Sequence, residues 1–143
     1  MIKKLSIIVL LFMNLTCFSQ NWSTDFEAAK QTANEKNQNI VLVFSGSDWC
    51  GPCIKLEKEI WNSEAFKVNG ESSFVMLRAD FPRRKKNALS ETQQAHNNNL
   101  AATYNSNGYF PLVVVLNQEG TVLGETGYKK ITAQEYINLL KSF

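Results

Sequence analysis

The chain is predicted to fold as an α/β domain, with a central mixed β-sheet flanked by helices and finished by an antiparallel hairpin and a last helix. Three observations predict it. Ile40-Val41-Leu42-Val43-Phe44 is a continuous apolar run of strand length, the pattern of a strand buried on both faces. Ile54, Leu56, Ile60 and Trp61 follow at helical spacing, and Phe74-Val75-Met76-Leu77-Arg78-Ala79-Asp80 is strand-like again, which makes a β–helix–β unit with parallel strands and a right-handed crossover. Leu112-Val113-Val114-Val115-Leu116 and Thr121-Val122-Leu123 flank Asn117-Gln118-Glu119-Gly120, a turn that folds the last two strands antiparallel.

Taken in order, Met1 to Ser19 reads as a secretory signal. Lys3 and Lys4 form the basic leader, Leu5 to Leu15 an apolar stretch too short to span a bilayer comfortably, and Cys17-Phe18-Ser19 offers small residues at both cleavage-determining positions. Cleavage after Ser19 leaves residues 20–143 as one domain in an exported, periplasmic setting. Lipid anchoring through Cys17 is disfavoured, because Asn14-Leu15-Thr16 poorly matches the Leu-small-small run that precedes a lipidated cysteine. Thr24 and Glu27 resemble a capping box opening a helix through about Lys36, with Phe26, Ala29 and Ala33 as its weak apolar face. The helix after the first strand is expected to start at Cys50 and to end before Asn69-Gly70. Phe81 to Asn99 is the least regular part, although Ser90 and Gln93 suit the cap of a helix running to about Tyr104 with Leu100 and Tyr104 inward. Pro111 opens the third strand, where proline is tolerated and a cis X-Pro bond is accessible. Thr132 and Glu135 form a capping box for the final helix, whose Ile137, Leu139 and Leu140 should face the sheet.

Trp49-Cys50-Gly51-Pro52-Cys53 carries the chemistry. Placed at a helix start, with Pro52 in the first turn where a missing N–H costs little, Cys50 meets orphan backbone N–H groups and the positive end of the helix dipole, which favour its thiolate. A thiol pKa lowered from about 8.5 to about 7 raises the thiolate fraction at neutral pH roughly fifteen-fold, and reduced nucleophilicity takes back roughly four- to five-fold. The attack rate gains only about three-fold, so the lower pKa matters at least as much when Cys50 is the leaving group. Cys53, one turn on, can reach the same sulfur from a more shielded position and is the natural resolving thiol.

The rest of the composition removes other classes. Loss of the signal takes Cys17 with it and leaves two cysteines, both in the motif, so they are there for chemistry rather than stapling. Zinc would need two more ligands, and the only histidine, His96, lies far away in a polar segment, so no metal is expected. Loss of Lys3 and Lys4 reduces the fifteen basic residues to thirteen, which balances the thirteen acids; nucleic acid is not an implied partner. Arg83-Arg84-Lys85-Lys86 offers a dock for an acidic partner or a membrane surface, but reads more simply as a solvated loop, and His96 as a surface residue.

These residues resemble the thioredoxin superfamily over nearly the whole of 20–143. Three separated features carry the resemblance: the Trp49–Cys53 motif after a buried strand, Phe110-Pro111 before another, and Gly127 between the last strand and last helix. Phe44-Ser45-Gly46-Ser47-Asp48 and the long segment after Asp80 look more like exported thioredoxin-like proteins of Bacteroidetes than cytosolic thioredoxin. The resemblance implies a thioredoxin-like fold in which Gly51 and Pro52 shape the site and Pro111 is a cis-proline packed beside the dithiol. It also implies an apolar docking face around Trp49, Gly108, Tyr109, Phe110 and Gly127, with the Phe110 backbone pairing with a substrate strand. One departure stands out: the buried aspartate and neighbouring lysine usual in thioredoxins fall at Phe44 and Met76, which leaves proton transfer from Cys53 to water or to a carboxylate such as Asp48 or Glu57.

The expected function is an exported thiol–disulfide reductase acting on protein disulfides and kept reduced by a membrane electron donor. It would work as a monomer, with the Cys50/Cys53 couple as its redox group and no other cofactor. Gly-Pro between the cysteines resembles reducing members of the superfamily, and the histidine of oxidising members is missing. The alternatives are a disulfide oxidase or isomerase, although isomerases commonly add a dimerisation module for which this chain has no room, and a non-catalytic redox-regulated binding module on the face around Trp49 and Pro111.

Overall fold

The computed structural model describes residues 22–143; the expected signal, its cleavage site and Cys17 lie outside the described residues. The described elements run α1 (Phe26–Lys36), β1 (Asn39–Ser45), α2 (Gly51–Leu56), β2 (Phe74–Asp80), α3 (Glu91–Tyr104), β3 (Leu112–Leu116), β4 (Val122–Thr126) and α4 (Ala133–Lys141). The sheet order is β2-β1-β3-β4, with β1 parallel to β2 and antiparallel to β3, and β3 antiparallel to β4. The mixed sheet, the parallel unit and the terminal hairpin are as the hydrophobic patterns predict.

Both faces of the sheet are buried along β1, β2 and β3, while β4 is an open edge, and strand alternation sorts the side chains. Ile40, Leu42 and Phe44 pack with Val75, Leu77, Ala79, Ala29 of α1 and Leu100 of α3. Val41 and Val43 pack on the other face with Met76, Leu56 at the end of α2, and Tyr136, Ile137 and Leu140 of α4. Tyr136 therefore takes an inward place that the expectation for α4 assigned to Leu139, which is only partly buried; its hydroxyl donates to Gly127 O at 2.8 Å, so the ring can be buried without an orphaned polar group.

Three local expectations change. Asp25, not Thr24, caps α1, accepting the Ala28 N–H at Oδ1 (2.9 Å). The helix after the motif does not run unbroken. After Leu56 it widens, so that Asn62 N–H reaches back five residues to Glu57 O, and it restarts where Ser63 Oγ accepts the Phe66 N–H (3.1 Å). The second piece, Phe66–Gly70, carries through Asn69-Gly70 rather than stopping before it. The widened turn buries Trp61, whose ring meets Trp22, Phe66 and Tyr136 edge-on at centroid distances of 5.5, 4.7 and 5.5 Å.

α3 is held by polar contacts as much as by Leu100. Ser90 caps it through Gln93 N–H, but Gln93 does not close a capping box; its amide spans to Thr24 O (3.0 Å) and Asn97 Oδ1 (2.9 Å). Buried Asn97 donates to Asp80 O (2.9 Å), and His96 Nε2 accepts the Phe26 N–H at the start of α1 (3.1 Å). The one histidine is thus a strut between α3 and α1, away from the cysteines.

Candidate active site

The end of β1 and the start of α2 place the dithiol. Gly46 O accepts the N–H of both Trp49 (3.2 Å) and Cys50 (2.9 Å), which folds residues 46–50 into a tight turn, and Asp80 fixes that turn from β2 through Ser47 N–H (3.0 Å) and Ser47 Oγ (2.6 Å). Cys50 is the N-cap of α2 and Pro52 lies in its first turn, as expected. Cys50 and Cys53 are joined as a disulfide, with Cα atoms 5.2 Å apart. Cys50 Sγ accepts the Cys53 N–H (3.3 Å) and Cys53 Sγ the Gly46 N–H (3.5 Å). Exposure does not separate the two cysteines, at 4% and 3%. Their surroundings do, because one sulfur meets the helix N-terminus and the other the turn behind it.

On the Cys50 side an aromatic groove of about 410 Å³ is lined by Trp49, Phe81, Pro82, Arg83, Gln94, Gly108 and Phe110. Trp49 is fixed by its indole N–H, which donates to Phe81 O (2.7 Å), and by the edge of Phe110 at 5.4 Å; Phe81 also packs edge-on against Phe110 at 5.4 Å. A Cβ on Gly46 would fall inside the Trp49 indole, so glycine is required there. Arg83 lays its guanidinium over the Trp49 ring, 3.7 Å from the centroid. Behind it, Asp48 Oδ1 accepts the Arg83 N–H (2.9 Å), while Oδ2 accepts the Arg84 N–H (3.0 Å) and the Asn87 amide (2.9 Å). These donors, the Arg83 N–H first and then the Asn87 amide, hold the Asp48 carboxyl down at about 2, with Arg84 assisting.

The loop from α3 to β3 completes this side. Buried Asn105 pins Tyr109 through both its amide atoms, donating to Tyr109 O (2.8 Å) and accepting its N–H (2.9 Å), and Gly108 takes φ +69°, a left-handed turn that suits glycine. The Phe110–Pro111 peptide bond is cis. A Cβ on Gly127 would lie 3.4 Å from Pro111 O, so Gly127 backs the proline rather than lining the groove. Tyr109 stands out in solvent, 61% exposed. Of the expected docking residues, Trp49, Gly108 and Phe110 therefore share one groove, while Tyr109 and Gly127 flank it.

On the Cys53 side a cavity of about 270 Å³ is lined by Ser45, Ser47, Cys53, Ile54, Glu57, Lys58, Asn62 and Arg78. Here the matching of the missing aspartate and lysine to Phe44 and Met76 is corrected. Phe44 and Met76 lie on opposite faces of the sheet, Phe44 against α1 and α3 and Met76 against α4, so they never formed a pair. The β1 residue that lines the Cys53 cavity is Ser45, and the β2 residue is Arg78, since alternate side chains point to alternate faces. A different charged pair lines this cavity: Arg78 Nη2 donates to Glu57 Oε2 at 2.7 Å, and the Trp22 ring supports the guanidinium at 4.2 Å. Of the two carboxylates considered for proton transfer, Asp48 is committed to the 83–87 loop and Glu57 lines the cavity with Cys53.

Sequence reasoning missed Gly46, Asp80, Phe81, Arg78 and Asn105. A signal existed for Asp80, a carboxylate ending a strand beside the motif. For Asn105 and Phe81 the function follows only from the fold. The largest described cavity, about 750 Å³, lies elsewhere, between Trp22, Val68 and the Phe74–Met76 stretch of β2, and holds neither cysteine. Among the described residues no group of three or more His, Cys, Asp or Glu is placed to hold a metal, and no helix is long and apolar enough to cross a membrane.

A dithiol at a helix start, with a cis-proline loop packed through Phe110 on the Trp49 before it, defines a thiol–disulfide oxidoreductase of the thioredoxin class. The chain belongs to the thioredoxin-like family, whose model matches residues 21–118. It is 34% identical over 121 residues to the disulfide bond reductase DsbH of Chlamydia pneumoniae, covering 85% of this chain and 70% of that protein. The thioredoxin-related protein DsbJ of the same organism is 30% identical over 98 residues, covering 68% of this chain but only 27% of DsbJ. A solved structure of the DsbH oxidoreductase superposes with a TM-score of 0.77 at 31% identity, covering 85% of this chain and 81% of that one.

Proposed function

We propose that the protein is an exported reductase of protein disulfides. In the reduced enzyme the Cys50 thiolate attacks one sulfur of a substrate disulfide, forming a mixed disulfide and releasing the other substrate sulfur as a thiolate. Cys53 then loses its proton and attacks Cys50 Sγ, which frees the second substrate thiolate and leaves the Cys50–Cys53 disulfide. Two electrons pass to the substrate, and an external dithiol donor, held at a membrane in this reading, restores the enzyme. Glu57 takes the Cys53 proton through a cavity wide enough for water, with Arg78 holding the carboxylate in place.

The observation that carries the direction is the 34% identity to a protein named a disulfide bond reductase. Gly51-Pro52 between the cysteines supports the same direction, and the one histidine, His96, is engaged at the start of α1. Export rests on the signal-like Met1–Ser19 and on the Dsb names of the relatives.

The test is the reduction potential, measured by equilibrating the protein against thiol buffers of known potential and trapping the free thiols. The expected value lies near −270 mV, typical of reducing members, rather than near −120 mV, typical of the strongest oxidants, a gap of about 7 kcal/mol for two electrons. A value near −120 mV overturns the direction.

A further inference from the structure

Arg83-Arg84-Lys85-Lys86 is more than a solvated run. We propose that this basic loop is the partner-selecting surface of the site, and that the partner is a protein disulfide set in an acidic, extended segment. The proposal rests on exchange at Cys50, in whichever direction the electrons flow.

Three observations carry it. First, the loop is built into the site. Asp48, two residues before Cys50, accepts the backbone N–H of Arg83 and Arg84 and the amide of Asn87. Beyond it Lys85–Asn87 forms a single tight turn, closed by Asn87 N–H to Arg84 O at 2.9 Å and Ala88 N–H to Lys85 O at 3.1 Å. The backbone of this loop holds a fixed place relative to the turn before the dithiol.

Second, the loop forms one wall of the groove beside Cys50. Arg83 covers the ring of Trp49, the residue before the nucleophile, and lines the aromatic groove with Phe81, Pro82 and Phe110. A segment lying in that groove passes beside Arg83, and at about 3.3 Å per extended residue its neighbours fall within reach of the next cations.

Third, the charge is left over. Four consecutive cations repel one another and cost the fold stability unless something else uses them. Asp48 is consumed by loop hydrogen bonds, Asp80 by Ser47 and Glu57 by Arg78. Among the described residues neither Lys85 nor Lys86 forms an ion pair, and both are exposed. Among the described residues the chain's own acids thus leave Lys85 and Lys86 to an outside anion. A membrane is the poorer fit, because the run begins at Arg83 in the wall of a groove with aromatic sides instead of on a broad flat face.

The experiment compares single-turnover exchange of the protein with three synthetic peptides. Each has the same cystine, flanked by glutamates, glutamines or lysines. At an ionic strength of about 0.02 M the glutamate peptide should react about ten-fold faster than the glutamine peptide and the lysine peptide slower. The ratios should collapse toward one by about 0.5 M, as expected for steering by exposed charges. Lys85→Glu/Lys86→Glu should invert the glutamate preference, and Lys85→Ala/Lys86→Ala should reduce it; both leave the backbone donors to Asp48 in place. Equal rates for the three peptides at low salt overturn the proposal, as does a preference that survives both double variants. Cosedimentation with vesicles of anionic phospholipid that the Lys→Glu pair abolishes, without any peptide discrimination, assigns the loop to a membrane instead and also overturns it. If no peptide reacts at all, the exchange reading itself fails, and the two failures are thereby distinguished.

Discussion

The two sides of the Cys50–Cys53 bridge are built from different materials. On the Cys50 side the walls are aromatic, the loop before Pro111 stands at the surface, and Lys85 and Lys86 form no ion pair among the described residues. On the Cys53 side the cavity is smaller, and two of the charges that line it are matched, Arg78 to Glu57 across 2.7 Å. Each arrangement suits the step proposed for its sulfur. A sulfur that attacks a partner needs a surface that leaves interactions unsatisfied until the partner arrives, because only then do they contribute to capture. A sulfur that must lose a proton and attack its neighbour needs a nearby base whose position does not depend on the partner.

The sharpest way to separate the sides is to remove one sulfur at a time. Cys50→Ser should abolish exchange, a loss of at least about 1,000-fold, because the oxygen is a far weaker nucleophile than thiolate at neutral pH. Cys53→Ser should still attack but fail to resolve, so a stable mixed disulfide accumulates with peptide substrates and is read directly by mass spectrometry. Trapping on Cys50→Ser in place of Cys53→Ser would reverse the assignment of the two sulfurs. Turnover by Cys50→Ser would sink it.

A smaller effect tests the Cys53 side alone. Glu57→Gln keeps an oxygen that can accept from Arg78 and removes the negative charge, so the fold should survive. Resolution of a preformed mixed disulfide should slow by about ten-fold, less than the usual loss for a positioned base because water in the cavity takes over part of the proton transfer. The initial attack by Cys50 should be unaffected. Stopped-flow measurement of the two phases over a pH series checks this, since a purely structural role would slow both phases equally.

The contrast also explains what could be read before the fold was known. The dithiol, the strand before it and the proline loop carry strong local signals: paired cysteines at helical spacing, a continuous apolar run, and proline ahead of a β-branched stretch. The error at Phe44 came from counting back along the chain without the pleat. Adjacent strand residues face opposite ways, so a displacement of one residue exchanges the helix α2 side for the α1 side. Arg78 stands two residues beyond Met76 and was read only as part of a strand, because its partner Glu57 is twenty-one residues away and meets it through the parallel β1–β2 pairing. The basic run was legible as charge, and its use was not. That depended on Asp48 reaching the backbone of Arg83 and Arg84, a contact across thirty-five residues in sequence. Asp25 displaced Thr24 as the α1 cap for a more local reason, since both residue types suit that place and only the path of the preceding chain decides between them.

The mildest prediction concerns the hinge between the two sides, where Asp48 ties the basic loop to the turn before Cys50. Its carboxyl is held at about 2, below its ordinary value of 3.8, by the N–H of Arg83, the Asn87 amide and the N–H of Arg84. A depressed carboxylate stabilises the folded form fully above its unfolded value and loses that contribution as pH falls through the folded one. The loop should therefore be unchanged from neutral pH to about pH 4 and loosen progressively between about 4 and about 2. The backbone N–H groups of Arg83 and Arg84 report this directly: their hydrogen-exchange protection, corrected for the intrinsic rate, should decline over that window. Asp48→Asn should retain an acceptor for one N–H and make the protection independent of pH across the window, while Arg78 and Glu57 on the other side keep their contact. Loss of protection already at pH 5 to 6 would show that some other group holds the loop, and would detach the basic surface from the residue that positions it beside Cys50.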